Sequence, residues 1–418
     1  MTNKFDKRRE ELLKNIKNSS VLLLDSGKAK HKTTDQYFHY VPNRNFFFLT
    51  GLQCENMKLM LIKQEKKTMQ FLFIEETTEY MKQWVGEKMS KEEASKISGV
   101  EISNIHYLDK FDTYFRSLMT FARGLGVKPP KNLYLDLYRI NSKDEPVAHT
   151  EFKTVLSLYK ELKIRNLNEH ASYLRMFKSK EDIVSLQKAI DITEVALNRV
   201  MDSVKIRDNE AQVQADYIHE ITLQGSEGYS FNTIMANGVN ATVLHYEENN
   251  SPLVKENLIL CDLGALYNNY GSDITRTYPV SGTFSNRQKQ IYEIVLKANK
   301  ESIKYIKPGI TWKELNDYAK SILIEGAKEL GIIKEDIEIN KYYYHSIGHF
   351  LGLDVHDVGQ YDLPLQEGMV ITIEPGLYIK EEGIGIRIED DILVTKDGYE
   401  NLSKNIIKEI KDIEEYMS

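Results

Sequence analysis

Residues 258–279 read LILCDLGALYNNYGSDITRTYP, and this stretch decides how the second half of the chain folds. Two apolar runs flank Asn268 and Asn269, which are turn-forming residues, so the stretch predicts a β-hairpin. Asp262 and Asp273 lie inside these runs, although Asp is depleted in strands. A buried ionised carboxylate costs several kcal/mol unless it is paired or bound to a metal, so a cation is expected beside each of them.

A second segment, residues 369–394, repeats the anomaly in the sequence MVITIEPGLYIKEEGIGIRIEDDILV. Its apolar runs, broken by glycines, predict another hairpin, and each run is followed by an acid, Glu374 or Glu389. Because side chains alternate along a strand, Arg387 and Glu389 are expected on the same face of one strand. The guanidinium group can then support the carboxylate.

Any one of these acids alone could equally well be a strand-end residue or half of a buried ion pair rather than a metal ligand. The four acids together are harder to explain in this way. Arg276 and Arg387 can neutralise two of them, which leaves an excess of negative charge in an apolar setting. A pair of divalent cations is the simplest way to balance that charge.

A third stretch, residues 344–357 (YHSIGHFLGLDVHD), concentrates His345, His349 and His356 in a chain that has ten histidines. An isolated histidine is more often a packed or surface residue, but a cluster near buried carboxylates favours a metal ligand. Four carboxylates and one imidazole form an oxygen-rich ligand set, which suits Mn²⁺ and tolerates Co²⁺, Fe²⁺ or Zn²⁺. Two such ions about 3.5–4 Å apart would lower the pKa of a water molecule held between them.

The chain has 418 residues, which favours about two domains. Apolar runs of strand length, including Val21–Asp25, Phe46–Leu49 and Leu59–Ile62, predict a small α/β domain over residues 1–174. An amphipathic helix from Lys180 to Asp202 then opens a second domain, residues 175–418. Strands and helices mix in this second domain, which indicates an α+β fold.

Composition excludes several classes of protein. The net charge of −7 comes from intermixed charges without a long basic block, so nucleic acid is an unexpected partner. No run approaches about 20 apolar residues, so no membrane span is expected. The N-terminus lacks the apolar core of a signal peptide, and Cys54 and Cys261 are too few for a disulfide framework. A cytoplasmic, reducing location is the resulting expectation.

The motifs described above resemble those of the Xaa-Pro aminopeptidases (aminopeptidase P) and prolidases, which are pita-bread metallopeptidases. In the second half the matching motifs are residues 232–246, 262–265, 272–277, 348–357, 373–376 and 387–390. A weaker match over residues 38–51 favours this branch over methionine aminopeptidases, which usually lack a leading domain. The resemblance implies a C-terminal pita-bread (creatinase/aminopeptidase-like) domain preceded by a smaller α/β creatinase-type domain.

The resemblance also implies a role for each acid. Asp262 and Asp273 are expected to bind one metal ion, and His349 and Glu374 the other, with Asp273 and Glu389 bridging the two ions. All five ligand positions are filled in this sequence.

Further roles follow from the same resemblance. His245 and His356 are expected to hydrogen-bond the substrate or the developing oxyanion. His345 is expected to border the pocket for proline, with a packing role as the alternative. In the mechanism that we expect, Glu374 carries the proton from the attacking water to the proline nitrogen. Arg387 is expected to contribute to catalysis by supporting the carboxylate of Glu389.

Aromatic side chains are expected to shape the substrate pocket. Tyr378 and residues 342–344 are candidates for its walls, although such a cluster is as often core packing. Trp84, in a segment predicted to be a loop, is a candidate to close the pocket of a neighbouring subunit, because members of the family often form dimers or tetramers. An ordinary, partly buried tryptophan is the alternative.

The function that the resemblance implies is hydrolysis of the bond between an N-terminal residue and a following proline. The nearest alternative is a prolidase restricted to Xaa-Pro dipeptides. A metal-free binding module with the same fold is a different class of alternative, which the filled ligand set argues against. A further alternative is a hydrolase of a non-peptide substrate such as creatine, and such an enzyme would not need two metal ions.

Overall fold

The computed structural model describes residues 3–120 and 124–418, which fall into two compact units, Met1–Leu174 and Arg175–Ser418. The helices up to residue 176 are α1 Lys4–Asn15, α2 Arg44–Thr50, α3 Glu79–Val85, α4 Lys91–Ser98, α5 Phe111–Met119, α6 Val147–Glu151, α7 Lys153–Leu158 and α8 Asn168–Met176. The strands in this part are β1 Ser20–Asp25, β2 His31–Thr33, β3 Gln36–Tyr37, β4 Lys58–Lys63, β5 Thr68–Ile74, β6 Ile105–Tyr107, β7 Asn132–Leu135 and β8 Lys163–Asn166.

The first unit is built on a six-stranded mixed sheet in the order β6-β5-β4-β1-β7-β8. The central strand β1 pairs antiparallel with β4 and parallel with β7. Nearly all of β1 is buried, which explains why its sequence is a continuous apolar run rather than an alternating one. This unit therefore has the α/β character that its sequence predicts.

Two local predictions for this unit are wrong. The apolar run Phe46–Leu49 lies in the buried helix α2, not in a strand, because Asn43 caps the helix start and Gly51, with φ of 72°, ends it. A short buried helix and a buried strand have the same apolar composition. Trp84 lies in helix α3 rather than in a loop, because Thr78 caps that helix by accepting from the amide of Met81.

The helices of the second unit are α9 Lys180–Ser203, α10 Glu210–Leu223, α11 Asn286–Tyr305, α12 Trp312–Glu329 and α13 Ile410–Tyr416. Its strands are β9 Ile234–Asn237, β10 Leu258–Leu263, β11 Leu266–Tyr267, β12 Tyr270–Gly271, β13 Ile274–Pro279, β14 Val370–Ile373, β15 Gly376–Ile379, β16 Ile384–Arg387, β17 Asp390–Val394 and β18 Tyr399–Asn401. The predicted amphipathic helix is α9, which starts at Lys180 as expected.

The hairpin predicted for residues 258–279 is present. Strands β10 and β13 pair antiparallel, with Asp262 opposite Thr275, and β9 pairs with the other edge of β10. Asn268 and Asn269 form the turn between β11 and β12 with φ of 49° and 61°, the left-handed values that a tight hairpin turn requires.

The second segment forms two nested pairs, with β14 against β17 and β15 against β16. The expectation that Arg387 and Glu389 share one strand is wrong, because β16 ends at Arg387 and β17 begins at Asp390. The amide of Glu389 instead donates to the carbonyl oxygen of Thr275 at 3.0 Å. Glu389 is thus turned from its own hairpin toward the first one.

The core of the second unit packs helices α11 and α12 against β14 and β17. The buried residues of this cluster include Ile303, Trp312, Leu315, Ile371, Ile373, Ile392 and Val394. No helix within residues 3–120 and 124–418 is both long enough and apolar enough to cross a membrane.

Candidate metal centre and active site

A cavity of about 550 Å³ lies in the second unit, and nearly all of the predicted site residues line it. These residues are Asp262, Asp273, His349, Glu374, Glu389, His245, His345, His356 and Arg387. Tyr378, which was expected to bind substrate, is 2% exposed and does not line this cavity.

The two hairpins place the four acids in the same cavity. Asp262 lies in β10 and Asp273 immediately precedes β13, while Glu374 directly follows β14 and Glu389 joins β16 to β17. Acids at or near the ends of regular strands are held by the strand backbone rather than by a long loop. This placement favours a rigid ligand set.

Donor atoms of Asp273, His349 and Glu389 all lie within 4.8 Å of one another. His349 Nε2 is 3.3 Å from Asp273 Oδ2 and 3.7 Å from Glu374 Oε1. Asp262 faces the same cavity, and its buried Oδ1 has no hydrogen-bond partner within the described residues. Such spacing, with an unpartnered carboxylate oxygen, fits a metal site.

The hydrogen bond that His349 makes to the backbone fixes which of its ring nitrogens can bind a metal. Its Nδ1 lies 3.0 Å from the carbonyl oxygen of Phe350, which can only accept, so Nδ1 carries the hydrogen. Nε2 then faces the oxygens of Asp273 and Glu374. A backbone carbonyl that holds the tautomer in this way is the usual arrangement for a metal-binding histidine.

Arg387 supports the acids, although its direct partner differs from the expected one. Its Nη2 donates to Asp262 Oδ2 at 2.6 Å, and its Nε donates to Thr275 Oγ1 at 3.1 Å. The Thr275 hydroxyl in turn donates to Glu389 Oε2 at 2.6 Å. Arg387 therefore contacts Asp262 directly and Glu389 only through Thr275.

The sequence predicted that Arg276 could neutralise one of the four acids, and this prediction is wrong. Its guanidinium group pairs with Asp390, at 2.8 Å, and Lys408 binds the same carboxylate. Although burial acts to raise it, these two cations hold the pKa of Asp390 below the usual range of a carboxyl group.

Three acids of the cavity, Asp273, Glu374 and Glu389, show the opposite behaviour. Burial raises the pKa of Asp273 well above its ordinary value, and repulsion from Asp262 adds to this shift. Burial and repulsion from Asp273 likewise raise the pKa of Glu389, and burial raises that of Glu374. The protein thus supplies side-chain cations for Asp390 but too few for this cavity, so the donor set fits added divalent cations.

A chain of hydrogen bonds runs behind the cavity wall. Arg387 Nη1 donates to the Tyr378 hydroxyl at 3.0 Å, and that hydroxyl donates to His345 Nε2 at 2.8 Å. His345 Nδ1 donates to the carbonyl oxygen of Ser346. Both ring nitrogens of His345 are therefore occupied, and burial lowers its pKa to about 4, which keeps the ring neutral at pH 7.

His356 packs edge-on against His349, with ring centroids 4.3 Å apart. Loss of solvation in the cavity lowers the pKa of His356 to about 4, although the residue as a whole is exposed, and the neighbouring His349 contributes to this shift. A neutral imidazole at this position keeps one N–H group that can donate a hydrogen bond.

Three residues that support the site were missed at the sequence level. Thr275 bonds Glu389, the Thr372 hydroxyl accepts from the amide of His349 at 3.1 Å, and Asp391 Oδ2 accepts from the amide of Asp273 at 3.2 Å. The threonines had a signal, because Thr275 follows Asp273, and Thr372 precedes Glu374, by two residues and so can share its face. The partners could not be predicted, because Thr275 and Asp391 each bond a residue of the other hairpin.

Comparison with known protein families assigns both units. Residues 184–396 match metallopeptidase family M24, and residues 5–125 match the N-terminal domain of aminopeptidase P. A Xaa-Pro aminopeptidase of Haemophilus influenzae is 34% identical over 435 aligned residues, which cover 99% of this chain and 97% of the relative.

Solved structures agree. A proposed aminopeptidase P of Bacillus anthracis superposes with a TM-score of 0.95 at 45% identity, covering 100% of this chain and 98% of that one. Aminopeptidase P of Escherichia coli with the inhibitor Pro-Leu gives a TM-score of 0.89 at 29% identity, and its zinc-substituted form in complex with product gives 0.88. Each alignment with the Escherichia coli protein covers 99% of this chain and 97% of that one. The predicted fold class is confirmed, and the chain belongs to metallopeptidase family M24.

Proposed function

We propose that this protein is a Xaa-Pro aminopeptidase, which hydrolyses the peptide bond between an N-terminal residue and a following proline. The observation that carries the proposal is the cavity in which Asp273, His349 and Glu389 converge with two further acids and too few cations. The full-length match to Xaa-Pro aminopeptidases, including their leading domain, supports the choice of substrate.

The proposed cofactor is a pair of divalent metal ions. Asp262 and Asp273 would bind one ion, and His349 and Glu374 the other, with Asp273 and Glu389 shared. Mn²⁺ is the metal that best suits four carboxylates and one imidazole, with Co²⁺, Zn²⁺ and Fe²⁺ as alternatives. Support for this set comes from the unpartnered Asp262 oxygen and from the direction in which His349 Nε2 points.

The chemistry that two such ions supply is Lewis acidity, which lowers the pKa of a water molecule and polarises the scissile carbonyl group. Glu374 would accept the proton of that water and return it to the proline nitrogen; its Oε2 lies 3.8 Å from His345 Nδ1 at the cavity wall. A tertiary amide nitrogen must be protonated before it can leave, so this step needs a positioned acid.

The histidines are proposed to act as hydrogen-bond donors to the substrate. His245 and His356 line the cavity, and the neutral ring of His356 has an N–H group to direct at the developing oxyanion. One well-placed donor of this kind is worth roughly 3–4 kcal/mol in the transition state. His345 has no free ring nitrogen, so we assign it and Tyr378 to shaping and holding the wall through Arg387.

Proline at the second position suits the shape of the cavity. Its ring fixes φ and removes a backbone donor, so a rigid pocket can select it without offering a hydrogen-bond acceptor. Apolar side chains that line the cavity, among them Phe231, Leu244 and Val355, provide surfaces for such a ring.

The decisive experiment compares Gly-Pro with a longer Gly-Pro-Leu peptide and with Gly-Ala-Leu, using purified protein with added Mn²⁺ or with a chelator. We expect metal-dependent release of glycine from Gly-Pro-Leu and little cleavage of Gly-Ala-Leu. Exclusive cleavage of the dipeptide would instead identify a prolidase. Absence of bound metal, together with no turnover after Mn²⁺ addition, would identify a binding module.

A homo-oligomer, dimer or tetramer, is also proposed, together with a cytoplasmic location. Trp84 is 72% exposed on α3, and we assign it to closing the cavity of a neighbouring subunit. Light scattering after size-exclusion chromatography tests the oligomer. A monomeric species at micromolar concentration with full activity would contradict the role of Trp84.

A further inference from the structure

Glu210, the first residue of helix α10, is a fully buried carboxylate outside the candidate metal centre. Its Oε1 accepts hydrogen bonds from the Asn237 amide at 2.7 Å and from Asn240 Nδ2 at 3.0 Å. Its Oε2 accepts from the Tyr246 hydroxyl at 2.7 Å and from the Ser251 amide at 2.9 Å. Each carboxylate oxygen therefore has two donors.

These donors replace the cation that a buried acid normally needs. Within the described residues, no Lys, Arg or His forms an ion pair with Glu210. Four uncharged donors directed at one carboxylate, together with the positive end of the α10 helix dipole, stabilise the negative charge instead. A carboxylate held in this way fixes the positions of the groups that bond to it.

All four donors belong to one segment, residues 237–251, which also carries His245. The segment begins at the end of β9 and passes through a short 3₁₀ turn at residues 238–242 before it reaches His245. Glu210 bonds the segment at its start, near its middle and at its end. Tyr246, which directly follows His245, is 8% exposed, and its hydroxyl also lies 3.1 Å from the hydroxyl of Ser251.

Other hydrogen bonds hold the same segment, but they do not involve Tyr246. Asn249 accepts from the Met235 amide and donates to the carbonyl oxygen of Thr233, and the Tyr344 hydroxyl donates to the carbonyl oxygen of Thr242. These bonds hold residues 242 and 249, which lie on either side of His245 in the sequence. Glu210 anchors the side chain of Tyr246, which is adjacent to His245, and His245 lines the cavity.

We infer that Glu210 is a positioning residue that sets the place of His245 in the active site, an inference that rests on the proposed function. The hydrogen bonds transmit the position of helix α10 to residue 246, and residue 246 sets the backbone at His245. A displacement of about 1 Å at a catalytic donor can lower the rate by about 100-fold. Glu210 contributes to turnover only through His245.

A double-mutant cycle tests this coupling in the full-length, Mn²⁺-loaded protein with Gly-Pro-Leu as substrate. Glu210→Gln keeps the shape of the side chain but places an NH₂ group against two of the four donors. We expect it to lower kcat about tenfold with KM changed less than about twofold. In a His245→Ala background the same change should cause no further loss, because the group that it positions is gone.

Losses in kcat that multiply in the double mutant would overturn the inference, because Glu210 would then act independently of His245. An unchanged kcat in a folded Glu210→Gln protein would do the same. An unchanged kcat in His245→Ala would remove the role of His245 from the proposed function and this inference with it. The two failures are therefore distinguishable.

Asp216 provides a matched control on the same helix. It is 7% exposed and bonds Arg207 at 2.6 Å, and none of its hydrogen bonds within residues 3–120 and 124–418 reaches the segment 237–251. Asp216→Asn should lower the free energy of unfolding and leave kcat unchanged. If Glu210→Gln does not fold, Tyr246→Phe removes a single donor, and its expected loss of about threefold should likewise vanish in His245→Ala.

Discussion

Within the described residues, Arg387 is the cation that bonds a carboxylate of the candidate metal centre, and its own side chain is 4% exposed. Removing one partner of a buried ion pair leaves the other charge uncompensated and costs about 3–5 kcal/mol. We therefore expect Arg387→Ala to lower the free energy of unfolding of the metal-free protein by that amount. Urea denaturation in the presence of a chelator measures it.

The pair Arg287–Glu382 is the control for this prediction. Its side chains are 36% and 33% exposed, and such pairs contribute about 1 kcal/mol or less. Arg287→Ala should have a correspondingly small effect. Equal losses in the two variants would show that Asp262 does not depend on Arg387.

Asp273 is the acid on which we expect the candidate metal centre to depend most, because its donor atom lies near those of His349 and Glu389 and it is proposed to be shared by both ions. Asp273→Asn should reduce the bound metal and lower kcat/KM by at least about 100-fold, since even residues that only orient metal ligands contribute 10- to 100-fold. Elemental analysis and the peptide assay measure both. Asp317→Asn, which alters an exposed acid on α12, should change neither. Full metal content with full activity in Asp273→Asn would contradict the ligand assignment.

The site could be predicted from sequence wherever the signal was local. Asp262 and Asp273 stood out because each interrupts an apolar run, and this anomaly needs no knowledge of the partner strands. The partnerships could not be predicted. Arg387 bonds Asp262 across 125 residues of chain, and the pairing of the two hairpins, not either sequence alone, decides this contact.

At the scale of elements, the loop that carries His349 presses directly against strand β14. A Cβ atom at Gly348 would lie 1.9 Å from the carbonyl oxygen of Thr372, so only glycine allows this approach. Gly348→Ala should therefore cost about 2 kcal/mol or more in stability and displace His349, with a fall in kcat. Thermal denaturation and the peptide assay measure these effects.

Gly398 is the matched control for this substitution. A Cβ atom there meets no atom within 4 Å, and its φ is not positive. Gly398→Ala should be neutral or slightly stabilising because alanine restricts the unfolded chain. A Gly348→Ala protein as stable and active as Gly398→Ala would show that the loop can move away from β14 without cost.

The elements themselves were predictable to different degrees. Helix α9 was found because its apolar residues recur at helical spacing over many turns, and the turn at Asn268 and Asn269 because few residues adopt its positive φ values. The helix formed by Phe46–Leu49 was not predicted, because the run is too short to show a helical period and is buried on all sides. Caps such as Asn43 and Gly51 were the available signal for that helix.

For the whole molecule, the cavity acids link stability to both pH and metal. In the metal-free protein the folded state raises the pKa of Asp273 and Glu389, so it binds their protons more tightly than the unfolded chain does. Their contribution to stability is full below the ordinary carboxyl pKa of about 4 and is lost as pH rises through the raised values. We expect the free energy of unfolding of metal-free protein to fall as pH rises above about 4 toward the raised pKa values of these two acids.

Mn²⁺ should weaken this dependence, because a bound cation stabilises the ionised acids. A metal concentration 100 times the Kd adds about 2.7 kcal/mol of stability. Urea denaturation at several pH values, with and without Mn²⁺, measures both effects. Curves that stay parallel across the pH range would show that these acids are not the metal ligands. Asp390 has a lowered pKa and acts in the opposite direction at low pH, with or without Mn²⁺.

Two hydrogen bonds between the hairpins bear on the order of folding. They join Arg387 to Asp262 and Thr275 to Glu389. Each closes a loop of more than a hundred residues, and contacts so distant along the chain form slowly because the chain must first lose much of its freedom. On the ribosome, the first hairpin emerges long before Glu389 is synthesised. Until then Asp262 and Asp273 are exposed to water, where a carboxylate is stable without a partner. We therefore expect the candidate site to be assembled only late in synthesis, when the second hairpin docks against the first.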